Sequence, residues 1–219
     1  MWVSVEGIEG VGKTRLVRQL AARLAARCVL LDEITDQAGA GLVNDVVGAL
    51  SSAGDPFLRT GHPSAETLAL IALKIREFER AQHLRDAGPE IVLEDRGIDT
   101  VAVYQAVIIA GADGTPETTF DLAQLIYATA AHWRPLPDLT LLLVDDLDTC
   151  IGRFQARTGY ILPPGGRTLI ARASQLYDRI AAQQPQRFVV IDRAGRTEAE
   201  VIDHMLAACL SRIEDRCVT

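Results

Sequence analysis

The sequence predicts an α/β domain: one parallel β-sheet with helices on both of its faces. Three observations predict it. Short apolar, strand-like runs alternate with helical patterns along the whole chain. No internal repeat, low-complexity tract or long linker divides it. The 219 residues, 48% of them hydrophobic and with a mean hydropathy of +0.14, suit one core better than two. Residues 1–219 are therefore read as a single domain.

Trp2–Glu6 reads as a short buried strand, followed by an amphipathic helix over Thr14–Arg27 that places Leu16, Leu20 and Leu24 on one face. Val29–Leu31 is a second strand. Val43–Leu50 is a short helix and Ser64–Asp86 a long one, with Ser64 as its cap. Ile91–Glu94 is a strand. Thr100–Ile109 and Phe120–Ala131 are helices parted by the polar turn "GADGTPETT". Leu139–Val144 is the clearest strand, and the helix Leu147–Arg157 follows it. "TGYILPPGGR" is rich in Gly and Pro and reads as a loop. Leu169–Gln183 is a helix, Phe188–Ile191 the last strand, and Glu198–Ile213 a closing helix begun by Thr197.

The net charge is −7, with no run of lysines or arginines, which argues against a nucleic-acid polymer as partner. A small phosphorylated ligand needs only a few local cations and is not excluded. The apolar runs are too short to span a bilayer, and the chain opens directly into a strand without the pattern of a signal peptide. A cytoplasmic protein without membrane partners is the expectation. Cys28, Cys150, Cys209 and Cys217 are scattered and read as reduced thiols; they and the four histidines show no metal-ligand spacing.

One motif carries chemistry. Gly7-Ile8-Glu9-Gly10-Val11-Gly12-Lys13-Thr14 fits G-x-x-x-x-G-K-[ST], and it follows a strand and opens a helix. Glycines let the backbone curl around phosphate oxygens with successive N–H groups pointing inward. The helix that follows adds its positive N-terminal end. Lys13 would reach the β- and γ-phosphates, and the Thr14 hydroxyl would hold Mg²⁺. The motif implies ATP or another nucleoside triphosphate as ligand, bound by Gly7, Glu9, Gly10, Val11, Gly12, Lys13, Thr14 and Arg15, and a P-loop NTP hydrolase or kinase type of fold.

Within that type, a guanine-reading Asn-Lys-x-Asp is excluded, because the only asparagine, Asn44, precedes an aspartate. Two strands end in paired acids: "LTLLLVDD" and "IVLEDR". The second adds Arg96. An Asp-Arg pair at a strand end suits phosphoryl transfer, the acid near Mg²⁺ and the guanidinium forked onto phosphate oxygens.

On these residues the chain resembles the thymidylate kinases, a branch of the nucleoside monophosphate kinases. "VEGIEGVGKT" is similar to their first strand and P-loop, and "EDRGIDTVAVYQ" to their Asp-Arg-Tyr-x-Asp-Ser…Tyr-Gln segment. "LPDLTLLLVDDLDTCIGRFQAR" resembles their Leu-Pro-Asp strand with its arginine-bearing helix, and "RFVVIDRAGRTEAEV" their closing strand and helix. The resemblance runs through nearly the whole chain in order. It implies phosphorylation of dTMP to dTDP by ATP with Mg²⁺. Catalytic roles fall to Lys13, Asp95, Arg96, Arg153 and Arg157; Thr14 and Asp95 would hold the metal. Glu9, Lys74, Arg96, Tyr104 and Gln105 would face the acceptor. A small lid is expected at about 153–168. With no arginine among Ile8–Val11, a cationic finger would come from Arg153, Arg157 or Arg167. The family also implies a homodimer, with which the apolar helix "VAVYQAVIIAGA" is compatible, as it is with core burial.

The acceptor side departs from the family pattern. Its Thr-Arg-Glu-Pro-Gly-Gly-Thr segment is "TDQAGAGL" here, which keeps Thr35 and Gly39 but loses the arginine, glutamate and proline. The Asp-Arg pair of the long helix becomes Leu73-Lys74, and the tyrosine after Asp95-Arg96 becomes Gly97. Arg15 replaces a threonine. A kinase of the same fold acting on another nucleotide or small metabolite, or an ATP-binding switch, therefore stands as the alternative reading.

Overall fold

The computed structural model describes residues 1–34, 41–51, 54–85 and 88–217. Five strands form one sheet: β1 (Trp2–Glu6), β2 (Cys28–Leu31), β3 (Ile91–Asp95), β4 (Leu139–Val144) and β5 (Phe188–Asp192), in the spatial order β2-β3-β1-β4-β5. Every pairing is parallel: Val3 stands opposite Leu93 on one side and Leu139 on the other, and Leu141 opposite Val189. Parallel strands need crossover helices, and these cover both faces. The helices α1 (Lys13–Leu24) and α8 (Glu198–Cys217) lie on one face. On the other pack α3 (Pro63–Arg85), α4 (Ile98–Ala110), α5 (Pro116–Ala131) and α7 (Pro164–Gln183). Two more helices, α2 (Leu42–Ser51) and α6 (Leu147–Thr158), lie around the carboxyl ends of the strands. The binding crevice of an open α/β sheet forms at that edge. Among the described residues no helix is long and apolar enough to cross a membrane.

Among the described residues, the five strands and eight α-helices match the elements expected from the sequence, with shifts of a few residues at their ends. Two differences have physical causes. The long helix is not capped by Ser64; Pro63 takes its first turn, and Glu66 reaches back to accept from the Thr60 amide at 2.5 Å and the His62 amide at 3.0 Å. The Gly-Pro stretch read as a loop over Thr158–Arg167 is a loop only to Pro163, because Pro164 starts α7. Proline at the first helical position loses no intrahelical hydrogen bond, so a breaker in the pattern acts here as a start. The lid expected at 153–168 thus consists of the end of α6, five loop residues and the first turn of α7. The apolar run of α4 is buried in the core at Val101, Ala102, Val103, Ala106 and Val107, and half-buried at Ile108 and Ile109.

Unusually, the sheet face under α4 carries a polar layer. Ser4, Glu6, Glu94 and Thr140 are strand residues with no exposed surface. Each carboxylate in the layer is matched by donors, as burial requires. Asp99 accepts from the Tyr127 hydroxyl at 2.6 Å, the Thr140 hydroxyl at 2.9 Å and both Arg187 terminal nitrogens at 2.8 Å. Glu6 accepts from the Ser4 hydroxyl, the Gly97 amide at 2.7 Å, the Thr100 hydroxyl and the Tyr177 hydroxyl at 3.0 Å. Gly97, where the family carries tyrosine, is explained here: a Cβ would lie 2.5 Å from Ser4 Oγ and 2.7 Å from Glu94 Oε2.

Burial and the charge of Asp99 nevertheless push the Glu6 carboxyl up to about 7. An acid raised above its unfolded value stabilises the fold fully below the unfolded value and loses that contribution as pH rises through the folded one. Glu6 is thus most favourable below pH 4.5 and least above 7. Glu6→Gln should remove this dependence. Denaturant unfolding at pH 5 and pH 8 should show the variant gaining on the wild type by about 2–3 kcal/mol over that interval. A constant difference would contradict the assignment.

Candidate active site

The loop between β1 and α1 forms the cradle. Its glycines are required by close approach as well as by backbone angle. Gly10 has φ +76, and a Cβ there would lie 1.9 Å from the Cys150 carbonyl oxygen, so α6 packs directly on the loop. Gly12 has φ +93, and a Cβ would meet the Arg193 guanidinium at 2.5 Å. Lys13 is buried and donates to the Gly7 and Ile8 carbonyls at 2.7 and 2.8 Å. Burial first, and the nearby Arg96 charge second, pull the Lys13 ammonium down to about 8. Glu9, Glu33 and Asp95 act in the opposite direction. Thr14 is hydrogen-bonded to Asp95 at the end of β3.

Next to the cradle opens a cavity of about 670 Å³, large enough for a nucleotide. Thr14 and Glu9 line it from the P-loop, Arg96, Tyr104 and Gln105 from β3 and α4, and Arg157 from α6. Arg96 follows β3 in the left-handed region, φ 60, an uncommon conformation for a side-chain-bearing residue. Its amide nonetheless donates to the Val5 carbonyl at 3.2 Å, so the strained residue is tied to β1. Its guanidinium is ion-paired with Glu9 at 3.1 Å and with Glu33 at 2.8 Å. The Tyr104 hydroxyl donates to the other oxygen of Glu9. Burial and the Glu9 carboxylate hold that phenol well above its ordinary range, so it stays a neutral donor. Gln105 is buried, and its side-chain oxygen accepts from the Thr67 hydroxyl of α3 at 3.0 Å, which fixes the amide. Phe57 stacks over Tyr104 at 6.2 Å and over Phe154 at 6.4 Å, forming an apolar wall.

The structure brings together most of the residues that the sequence singled out, but not all. Arg15 is mostly exposed and ion-paired with Glu198 of α8 at 3.0 Å, away from the cavity. Lys74 lines the cavity, but its charge is already engaged. Its ammonium is buried and bonded to Glu77 at 2.8 Å and Glu94 at 3.3 Å. Burial opposes that charge, but Glu77 and Glu94 outweigh it and raise the Lys74 ammonium above its usual range. Of the three arginines expected on a lid, Arg157 lines the cavity, Arg153 is paired with Asp145 at 2.6 Å and Arg167 with Asp148. Thr35 and Gly39 lie outside the described residues.

Two residues of the site were not found by sequence reading. Arg193, just after β5, donates to the Val11 carbonyl of the cradle. Glu33, just after β2, meets Arg96 across the cavity. Neither belongs to a motif with a fixed spacing.

A divalent cation fits one corner of this geometry. Among the described residues, the buried Asp95 Oδ1 accepts no hydrogen bond, and burial together with Glu33 raises that carboxyl above its ordinary range. A buried carboxylate with one oxygen left open, beside the Thr14 hydroxyl, suits an oxygen-preferring Mg²⁺.

The comparisons with known proteins point to one family. The thymidylate kinase family model matches residues 5–203. A thymidylate kinase of Bifidobacterium longum is 31% identical over 206 residues, covering 91% of this chain and 92% of that protein. One from Cereibacter sphaeroides is 32% identical over 209 residues, covering 90% and 88%. The solved structure of thymidylate kinase from Ehrlichia chaffeensis superposes with a TM-score of 0.62 at 22% identity, covering 96% of this chain and 98% of that one, and shows the same fold. The chain belongs to the thymidylate kinase family.

Proposed function

We propose that this protein transfers the γ-phosphoryl group of ATP to the phosphate of dTMP, giving dTDP and ADP. One observation carries the reading: Thr14 at the end of the phosphate cradle lines the same cavity as Arg96, Tyr104 and Gln105. Donor phosphates in the cradle and an acceptor in the cavity would therefore meet at one point.

The chain's own residues supply positioning and charge, which are the main needs of phosphoryl transfer. Backbone N–H groups of Gly10 to Thr14 and the Lys13 ammonium hold the donor. Arg96, aimed into the cavity by its strained backbone, holds the acceptor phosphate. Tyr104 and Glu9 offer a hydroxyl and a carboxylate to the sugar, and Gln105, steadied by Thr67, offers its amide to the base edge. Phe57 and Leu70 give the base an apolar surface. Arg157 is the lid arginine placed to reach the transferring group. Thr14 and Asp95 would hold Mg²⁺, which neutralises phosphate charge when bound. A homodimer and a cytoplasmic setting belong to the same proposal, the first checked by sedimentation equilibrium.

Coupled ATP consumption across a panel of nucleoside monophosphates, with products identified by mass, tests the acceptor. dTMP should turn over most efficiently. Turnover of another monophosphate in preference, or none while ATP still binds, would overturn the reading.

A further inference from the structure

We propose that Glu33 is an internal stand-in for the acceptor phosphate, and that competition between the two for Arg96 sets how tightly the acceptor binds. The inference rests on the reading of Arg96 as the phosphate-holding residue and extends it to a residue with no assigned role.

The geometry is specific. A guanidinium offers two edges on which an oxyanion can make paired hydrogen bonds: the end formed by Nη1 and Nη2, and the side that includes Nε. Arg96 has a carboxylate at a donor of each: Glu9 accepts a hydrogen bond from Nη1 at 3.1 Å, whereas Glu33 is ion-paired 2.8 Å from Nε without a hydrogen bond. Glu9 is also held by the Tyr104 hydroxyl, so it is anchored from two sides. Glu33 comes from the loop after β2 and contacts the cavity together with Arg96. Because Glu33 meets the Nε edge by charge without a hydrogen bond, an arriving phosphate can take that edge of Arg96 by displacing Glu33 from it.

The rest of the cavity does not relieve this competition. Lys74, the other cation expected on the acceptor side, is neutralised by Glu77 and Glu94. A dianionic phosphate therefore meets Arg96 already balanced by two acids, with Asp95 close by. Repulsion from Glu33 acts on the phosphate alone. A nucleoside with the same base and sugar but no phosphate would not feel it. The predicted signature is thus a narrowed affinity gap between dTMP and thymidine, which the wild type shows and a neutral residue at position 33 abolishes.

The test is equilibrium binding of dTMP and of thymidine, together with steady-state kinetics, for the wild type, Glu33→Gln and Glu33→Ala. Glutamine keeps the shape of the side chain, and alanine guards against a new hydrogen bond. Loss of one opposing carboxylate should tighten dTMP binding about tenfold in both variants. Thymidine binding and KM for ATP should stay within about twofold, since neither requires displacement of Glu33. If Glu33 merely braces Arg96, both variants will bind dTMP more weakly, and the proposal falls. Equal shifts for dTMP and thymidine would mean a general change of the cavity and overturn it as well. A wild type that phosphorylates dTMP while the variants are unchanged sinks this inference alone. If neither wild type nor variants bind dTMP although ATP binds, the assignment of the acceptor fails with it.

Discussion

Lys13→Met is expected to lower kcat by about 10²–10³-fold, the loss typical of removing one positioned donor from developing charge. Its stability should not fall with its activity. Lys13 is 4% exposed, and its ammonium sits at about 8 rather than 10.5. A lysine depressed in the folded state is least favourable where both states are charged, that is below the folded value. At pH 7 the buried charge opposes folding by something on the order of 3 kcal/mol. Methionine keeps the stem in place and removes the charge, but it leaves the Gly7 and Ile8 carbonyls without their donor. The two effects oppose one another, so the melting temperature should hold or rise. Activity and stability moving apart in this way mark a residue kept for function against the interest of the fold. A variant with kcat within tenfold of the wild type, or one that melts several degrees lower, would show that Lys13 is a structural residue.

Lys13 was legible in the sequence because the cradle is local: eight consecutive residues between a strand and a helix carry both the fold and the chemistry. The same holds for Asp95-Arg96 at the end of a strand and for the helices whose apolar spacing repeats. What the sequence hid was set by contacts distant along the chain. Glu33 and Arg96 are far apart in sequence and meet only because β2 and β3 are neighbours in the sheet. Lys74 looked like a replacement for an acceptor-side arginine, and its position on α3 fits that reading. Its charge, however, is taken up by Glu77 one turn away and Glu94 on β3. Gly97 looked like a loss, yet it is the residue that leaves room for Ser4, Glu6 and Glu94 to share one buried layer. Ser4 and Glu94 break the apolar run of their strands. Buried polar residues at such positions announce a network without naming its partners.

That network carries the second large expected effect. Glu94 is 0% exposed and bonded to Arg134 by both terminal nitrogens at 3.2 Å, to the Trp2 indole at 2.8 Å and to Lys74 at 3.3 Å. Arg134 lies over the rings of Trp2 and Phe78 at 5.1 and 5.8 Å. With Glu77 the group holds two cations and two anions, and so is balanced. Arg134→Met keeps much of the packing but leaves one anion uncompensated in the interior, which should destabilise the fold by about 3–5 kcal/mol. Adding Glu94→Gln removes that excess and leaves the Lys74–Glu77 pair intact, so the double variant should be more stable than Arg134→Met alone. The pH dependence provides an independent reading. Burial works against the Glu94 charge, but Arg134 and Lys74 override it and hold the carboxyl at about 2. A depressed acid stabilises above its unfolded value of 4.5, and that contribution is lost as pH falls from there through about 2. Denaturant unfolding should therefore show the penalty of Arg134→Met shrinking as the pH is lowered through this window. A penalty that stays constant with pH would assign the role of Arg134 to packing on Trp2 and Phe78 rather than to charge. Because Glu94 immediately precedes Asp95 and Arg96, loss of the charge pairing should also raise KM for dTMP, linking the buried network under α4 to the site at the end of its strand.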